Sequence, residues 1–133
     1  MGKVRRVAFV CLHGSAKSLI AAEYLNRFAR ERSLELSATT SGPEPDGEVP
    51  PNVIEGLLSR GIDAGQRRPA RATAEALANA HHVVSFACSL DDLVPESRLV
   101  ERWDDCPAVS EDFDAAWAFI TGHVDALVER LIR

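Results

Sequence analysis

Cysteine is scarce here, and so is net positive charge. Three cysteines in 133 residues are an odd number with no zinc-like spacing, which argues against a secreted disulfide framework. Fifteen Lys and Arg face twenty Asp and Glu, a net charge of −5, so no electrostatic case exists for nucleic acid or an anionic membrane. The one basic cluster, Gln66-Arg67-Arg68-Pro69-Ala70-Arg71, reads as a solvated loop. No apolar run is long enough to cross a membrane. No signal peptide is visible either, because Met1 to Arg6 leads straight into a short strand; a cytoplasmic location is expected. Internal repeats and low-complexity tracts are also missing. What remains is ordinary for a globular chain: 46% hydrophobic and 26% charged residues. That is enough for one domain, 1–133, with a real core.

The stretch Val7 to Ala22, VAFVCLHGSAKSLIAA, organises the rest. Val7-Ala8-Phe9-Val10 suits a strand buried on both faces. Cys11 follows at once, then a small-residue turn, then a helix carrying Leu19, Ile20, Tyr24, Leu25 and Phe28. Strand, tight loop and helix N-terminus in that order make an anion cradle, because the loop N–H groups converge and the helix dipole adds positive charge. A cysteine at its mouth is expected to be partly exposed and to favour the thiolate. The candidate oxyanion-binding residues are Leu12, His13, Gly14, Ser15, Ala16, Lys17 and Ser18, with Cys11 as the nucleophile.

Along the chain, strands are expected at about Arg5–Val10, Leu34–Thr40, His82–Ala87 and Arg98–Arg102. Helices are expected at about Ala16–Arg32, from Pro51 to a stop at Gly61, from a Thr73 cap through Ala80, and from Ser110 to the end. Ile20, Tyr24, Leu25 and Phe28 form the apolar stripe of the first helix. Val53, Ile54, Leu57 and Leu58 line the second. Phe113, Trp117, Ile120, Val124, Leu127 and Leu131 face the core from the last. Ser41 to Pro50 is dense in turn residues. Alternating strands and helices predict an α/β fold: a four-stranded parallel sheet in flavodoxin-like order 2-1-3-4, with helices on both faces. The loop after the first strand then lies at the topological switch point, where such sheets bind ligands.

Cys11-Leu12-His13-Gly14-Ser15-Ala16-Lys17-Ser18 resembles the signature loop of the low-molecular-weight protein tyrosine phosphatases and the arsenate reductases that share their fold. In that family the pattern is Cys, five residues, Arg, Ser, usually with Gly-Asn at the third and fourth places. Here Lys17 replaces the Arg, and His13-Gly14 replaces Gly-Asn. Gly14 falls where the family's Asn adopts a left-handed turn, which glycine does without steric cost. Lys17 is a point charge and cannot supply the planar fork of Arg. The likeness covers nearly the whole chain and is closer to the arsenate reductases at Ser41-Gly42, Glu44-Pro45-Asp46-Gly47 and Leu58-Ser59-Arg60-Gly61-Ile62-Asp63. It implies a resolving cysteine after the third strand, which Cys88 can be. The family's partner cysteine just before a proline is missing there, since Val94 precedes Pro95. It also implies a general acid, Asp before Pro. Here Cys106 precedes Pro107 and Asp105 sits one residue early, reaching a leaving group only through a shifted loop.

Catalytic candidates are therefore Cys11, Lys17, Ser18, Asp105 and Cys88, with no metal and no cofactor expected. The first function implied is arsenate reduction: Cys11 attacks arsenate, and Cys88, Cys106 or an external thiol then resolves the adduct. Thioredoxin, glutaredoxin or a low-molecular-weight thiol would be the partner. The second is hydrolysis of a phosphate monoester through phospho-Cys11. No aromatic stands at Pro43-Glu44-Pro45 or Ala108-Val109 to wall a phosphotyrosine. The third is a non-catalytic relative that binds anions. His13 is expected to face solvent, His81 and His82 to have no ligand role, and Trp103 and Trp117 to pack in the core.

Overall fold

A strand with apolar side chains at successive positions must be covered on both faces, and that is how the first strand is used. The computed structural model describes residues 4–133. Its elements are β1 (Arg5–Val10), α1 (Lys17–Arg32), β2 (Leu36–Ser41), α2 (Pro51–Leu58), α3 (Ala74–Ala78), β3 (His82–Ser85), β4 (Glu101–Arg102) and α4 (Phe113–Leu131). The sheet has the order β2-β1-β3-β4 and every pairing is parallel. Val10 pairs with Ser41 on one side and Ser85 on the other, so Cys11 leaves the sheet flanked by the ends of both neighbours. Among the described residues no helix is long and apolar enough to cross a membrane.

Side-chain alternation divides β1 between two cores. Val7, Phe9 and Cys11 join Leu19, Ile20 and Leu25 of α1, Val53 and Leu57 of α2, and Ile120, Val124 and Leu127 of α4. Ala8 and Val10 join Val83, Leu77, Ala80, Cys88 and Leu90. Helices cover both faces as expected, but unevenly: one face holds α1, α2 and α4, and the other has five-residue α3 and loops.

Several boundaries differ from the sequence expectation. β3 ends at Ser85 because Ala87 adopts a left-handed φ of 56°, which takes the chain off the ladder before Cys88. β4 shrinks to two residues, and Leu99 before it is 91% exposed. β2 starts at Leu36 and runs through Ser41. α3 stops at Ala78, although Thr73 caps it as expected, its Oγ1 accepting from the Ala76 N–H at 3.1 Å. α4 begins at Phe113 with Asp112 as its cap, because Glu111 and Asp112 turn back to the Ala108 carbonyl instead. The deep face of α4 includes Ala116 and Val128, while Phe113, Trp117 and Leu131 sit half-buried at its edges. In α1, Leu19 and Ala29 lie deeper than Tyr24 and Phe28. Leu58 of α2 is 57% exposed.

Glu101 ties β4 to the rest of the fold. Its carboxylate accepts from His82 Nε2 at 2.8 Å, Trp103 Nε1 at 2.6 Å and Arg130 at 2.8 Å. His81 instead accepts the Arg6 N–H on Nδ1 at 3.0 Å. Trp103 is a core residue at 4% exposure. Burial of the Glu101 carboxyl opposes ionisation, but hydrogen bonds from Arg130, Trp103 and His82 outweigh it and hold the group from an ordinary 4.5 down to about 2. A depressed carboxyl stabilises the fold above its unfolded value, and that contribution disappears as pH falls through the folded one. Urea melts should therefore lose on the order of 2 kcal/mol between pH 4.5 and pH 2, allowing for partial exposure. Glu101→Gln should remove that slope; an unchanged acid profile would show that other carboxyls set it.

Candidate active site

Loop 11–18 is held by its carbonyls, which leaves its N–H groups free. The Leu12 carbonyl accepts from Glu44 N at 2.9 Å, and the His13 carbonyl from Asp46 N at 3.2 Å. The Gly14 carbonyl faces Thr40 Oγ1 at 3.5 Å. Gly14 itself has a φ of 62°, the left-handed turn expected of it. The N–H groups of residues 12, 13 and 15–18 find no acceptor among the described residues. α1 starts at an N-cap Ala16 with no side-chain cap and no acid in its first turn. Capping side chains usually contribute about 0.5–2 kcal/mol, and α3 and α4 both have one. The first helix has neither a side-chain cap nor an acid there, so its N-terminal N–H groups and dipole are uncompensated by the chain.

The thiol sits at the floor of this cradle. Cys11 is 7% exposed, more enclosed than the expected partly exposed thiol, because β1 carries it into the α1–α4 core. Its Sγ lies 3.0 Å from Ser18 Oγ, which is in turn 2.7 Å from Thr40 Oγ1. Ser18 can donate to the sulfur while Thr40 donates to Ser18, a relay that gives the sulfur a hydrogen-bond donor.

A cavity of about 340 Å³ opens over Cys11. Leu12, His13, Ser15, Ala16 and Lys17 form its cradle side, and Pro50, Val53, Phe86, Ala108 and Val109 form an apolar wall. Lys17 is half-buried and enters none of the ion pairs among the described residues. His13 is exposed as expected, yet lines the mouth, with Nδ1–H donating to the Glu44 carbonyl at 2.8 Å.

Two residues at the cavity were not singled out from the sequence. Asp46 accepts from Ser15 Oγ at 2.6 Å and lies 3.7 Å from His13 Nδ1; the sequence marks its loop as turn and as family-like but gives the carboxyl no role. Phe86 shares the Cys11 face by alternation with Val84, a signal that was present, and puts one aromatic ring in the wall. Asp105 is not brought to the site. It is exposed and lines no part of this cavity, because the turn at 104–105 faces it to solvent while Asp104 is tied to Ala87 N and Arg102. Cys88 follows the strand next to that of Cys11, with its Sγ 3.9 Å from the Val10 carbonyl. It is buried in the opposite core, and burial raises its thiol, with the Ser85 hydrogen bond opposing. Cys106 shares the core of Cys11. All three cysteines are free thiols. Among the described residues no cluster of His, Cys, Asp or Glu is placed to hold a metal ion.

A parallel α/β sheet whose central strand delivers a thiol into a cradle of free amides defines a class of cysteine-based, oxyanion-binding proteins. The chain belongs to the low molecular weight phosphotyrosine protein phosphatase family, whose sequence profile matches residues 6–102; its members are enzymes. A Halobacterium salinarum protein named "Putative arsenate reductase" is 27% identical over 100 residues, 74% of this chain and 70% of that one. The fold is similar to that of YfkJ from Bacillus subtilis, with a TM-score of 0.87 at 18% identity over 98% of this chain and 96% of that one. It is also similar to a thioredoxin-dependent arsenate reductase of Corynebacterium glutamicum, with a TM-score of 0.80 at 21% identity, covering 99% of this chain and 65% of that one.

The loop tolerates no bulk behind it. A Cβ at Gly42 would stand 2.5 Å from Gly14 N and 2.6 Å from the Cys11 and Leu12 carbonyl oxygens, all backbone. Gly42→Ala should destabilise the fold by at least about 1–3 kcal/mol and slow alkylation of Cys11. Gly47→Ala, where a Cβ meets nothing within 4 Å, should change neither. Equal behaviour of the two variants in melts and iodoacetamide labelling would contradict this account of the loop.

Proposed function

We propose that the chain is a cysteine-dependent enzyme acting on a tetrahedral oxyanion, with arsenate as the substrate. The observation that carries it is the uncapped, acid-free start of α1 with free loop amides around the Cys11 thiol. Arsenate would lie against the N–H groups of residues 12–18, with Lys17 supplying the positive charge. Ser18, backed by Thr40, would donate to the Cys11 sulfur and favour the thiolate. Attack forms a sulfur–arsenic bond and expels one oxygen as water. Dihydrogen arsenate carries protons for that departure, so the exposed position of Asp105 is no obstacle to this chemistry. A second thiol then reduces the adduct, and thioredoxin, glutaredoxin or a low-molecular-weight thiol restores the enzyme.

One observation favours phosphate-monoester hydrolysis as a second reading. A cavity of about 340 Å³ with an apolar wall has room for an organic substituent beyond a bare oxyanion. Asp46 is then the carboxyl available to protonate the leaving group.

Turnover of arsenate and of an aryl phosphate, each measured with and without the three kinds of reductant, separates these readings. Arsenite formation is expected, abolished in Cys11→Ser. Lys17→Ala should lower it by about 10²–10³, the usual cost of one lost oxyanion partner. Lys17→Arg should raise turnover, because Arg adds the second parallel hydrogen bond that Lys cannot make. Aryl phosphate hydrolysis without arsenite would favour the second reading. Anion binding with neither activity would leave a non-catalytic binder.

A further inference from the structure

We propose that Cys106, not Cys88, is the thiol that resolves the Cys11–arsenic adduct, through a Cys11–Cys106 disulfide; this rests on the arsenate reading above. The sheet itself separates the two candidates. Cys11 continues the Val7–Phe9 face of β1 and is buried in one core together with Cys106 and Trp103. Cys88 belongs to the core behind the sheet, with Ala8 and Val10. Its thiol is directed at the Val10 carbonyl, 3.9 Å away, and at Ser85 Oγ, 3.5 Å away. To reach Cys11 it would have to leave those partners and pass around the end of β1.

Cys106 has no strand in its way. Its loop runs directly into Ala108, Val109 and Ser110, which line the cavity over Cys11. Among the described residues its hydrogen bond is only to the adjacent Pro107 carbonyl, at 3.5 Å. The segment from Trp103 to Asp112 contains no helix or strand, and the proposal requires it to bring Cys106 to the Cα separation of about 5.5–6 Å that a disulfide needs. Burial raises the Cys106 thiol to about 11, with Lys17 opposing and Cys11 adding to the rise. Cys11 raises Cys88 in the same way, so the face of the sheet and not the titration separates the two thiols, and Cys106 must give up its proton as it attacks.

The chemistry balances with groups already named. Cys11 and dihydrogen arsenate give the thioester of arsenic acid and water. The Cys106 sulfur then attacks the Cys11 sulfur. An S–S bond forms, the S–As bond breaks, and its electron pair goes to arsenic. The Cys106 proton passes to an arsenic-bound oxygen, and dihydrogen arsenite leaves. Two thiols are oxidised to a disulfide as As(V) becomes As(III), and an external dithiol reduces the disulfide afterwards.

The test is a single turnover. Fully reduced wild-type protein is mixed with arsenate without reductant, quenched by alkylation and peptide-mapped. A Cys11–Cys106 disulfide is expected, with arsenite released in proportion to it. Cys106→Ser should lose both, and an added small monothiol should restore its arsenite release, showing that the variant still folds and binds. A Cys11–Cys88 disulfide overturns the assignment but leaves arsenate reduction standing. So does undiminished arsenite release by Cys106→Ser without added thiol, or wild-type release that needs an external thiol and leaves no internal disulfide. No arsenite from wild type with thioredoxin, glutaredoxin or a monothiol overturns the arsenate reading itself. The wild-type peptide map decides the pairing even if a variant does not fold.

Discussion

The close approach of Gly14 and Gly42 is the constraint from which the site follows. Neither residue has a side chain, so the backbone of loop 11–18 lies directly on the chain leaving β2. Gly42 is then gripped from its other side, its N–H donating to Ala70 and its carbonyl accepting from Ala72. That contact presents the Leu12 and His13 carbonyls to the N–H groups of 44 and 46. Once the carbonyls are turned outward, the amides on the opposite side of the loop face the cavity. Cys11 needs no separate positioning, since β1 carries it to the centre of that ring. The inward-facing amides around Cys11 are therefore a by-product of how two glycines pack.

Charge is handled sparingly around this ring. An Arg would bring its own geometry to an oxyanion, whereas Lys17 brings only sign. The burden of orientation moves to the amides and to the hydroxyl pair Ser18–Thr40. Asp46 places a negative group at the mouth, tempered by Ser15 and within reach of His13. The cavity thus has a positive floor and a mixed rim, with a polar entrance.

The fold was legible because its signals are local and redundant. Val7 to Val10 reads as a doubly buried strand, and the strand–loop–helix run through Lys17 recurs in the structure with the left-handed Gly14. Alternation of strands and helices, joined to the loop after the first strand, led to the sheet order. What could not be read were features decided by tertiary contact. The left-handed Ala87 that cuts β3 short has no marker in sequence, and neither does the turn that exposes Asp105. Asp46 could not be identified from its own segment, because only the docking of the 42–46 loop on residues 12–15 brings it to the cavity. The side of the sheet on which Cys88 lies has no marker in sequence either. Neighbouring strand ends suggest proximity, but one residue in a left-handed turn decides on which side of the sheet the thiol lies.

The unequal covering of the sheet bears on where the molecule opens. Three helices shield the face that carries Cys11, while the reverse face relies on five-residue α3 and on loops. Short helices packed by few side chains are the first units to open in a native ensemble. The chain around Gly42 is stitched to residues 70 and 72, which lead into α3. Local opening of that thin layer would release the back of the anion loop while α1, α4 and most of the main core stay closed. Opening on the far side of the sheet would thereby reach the cradle on the near side through the two bonds of Gly42.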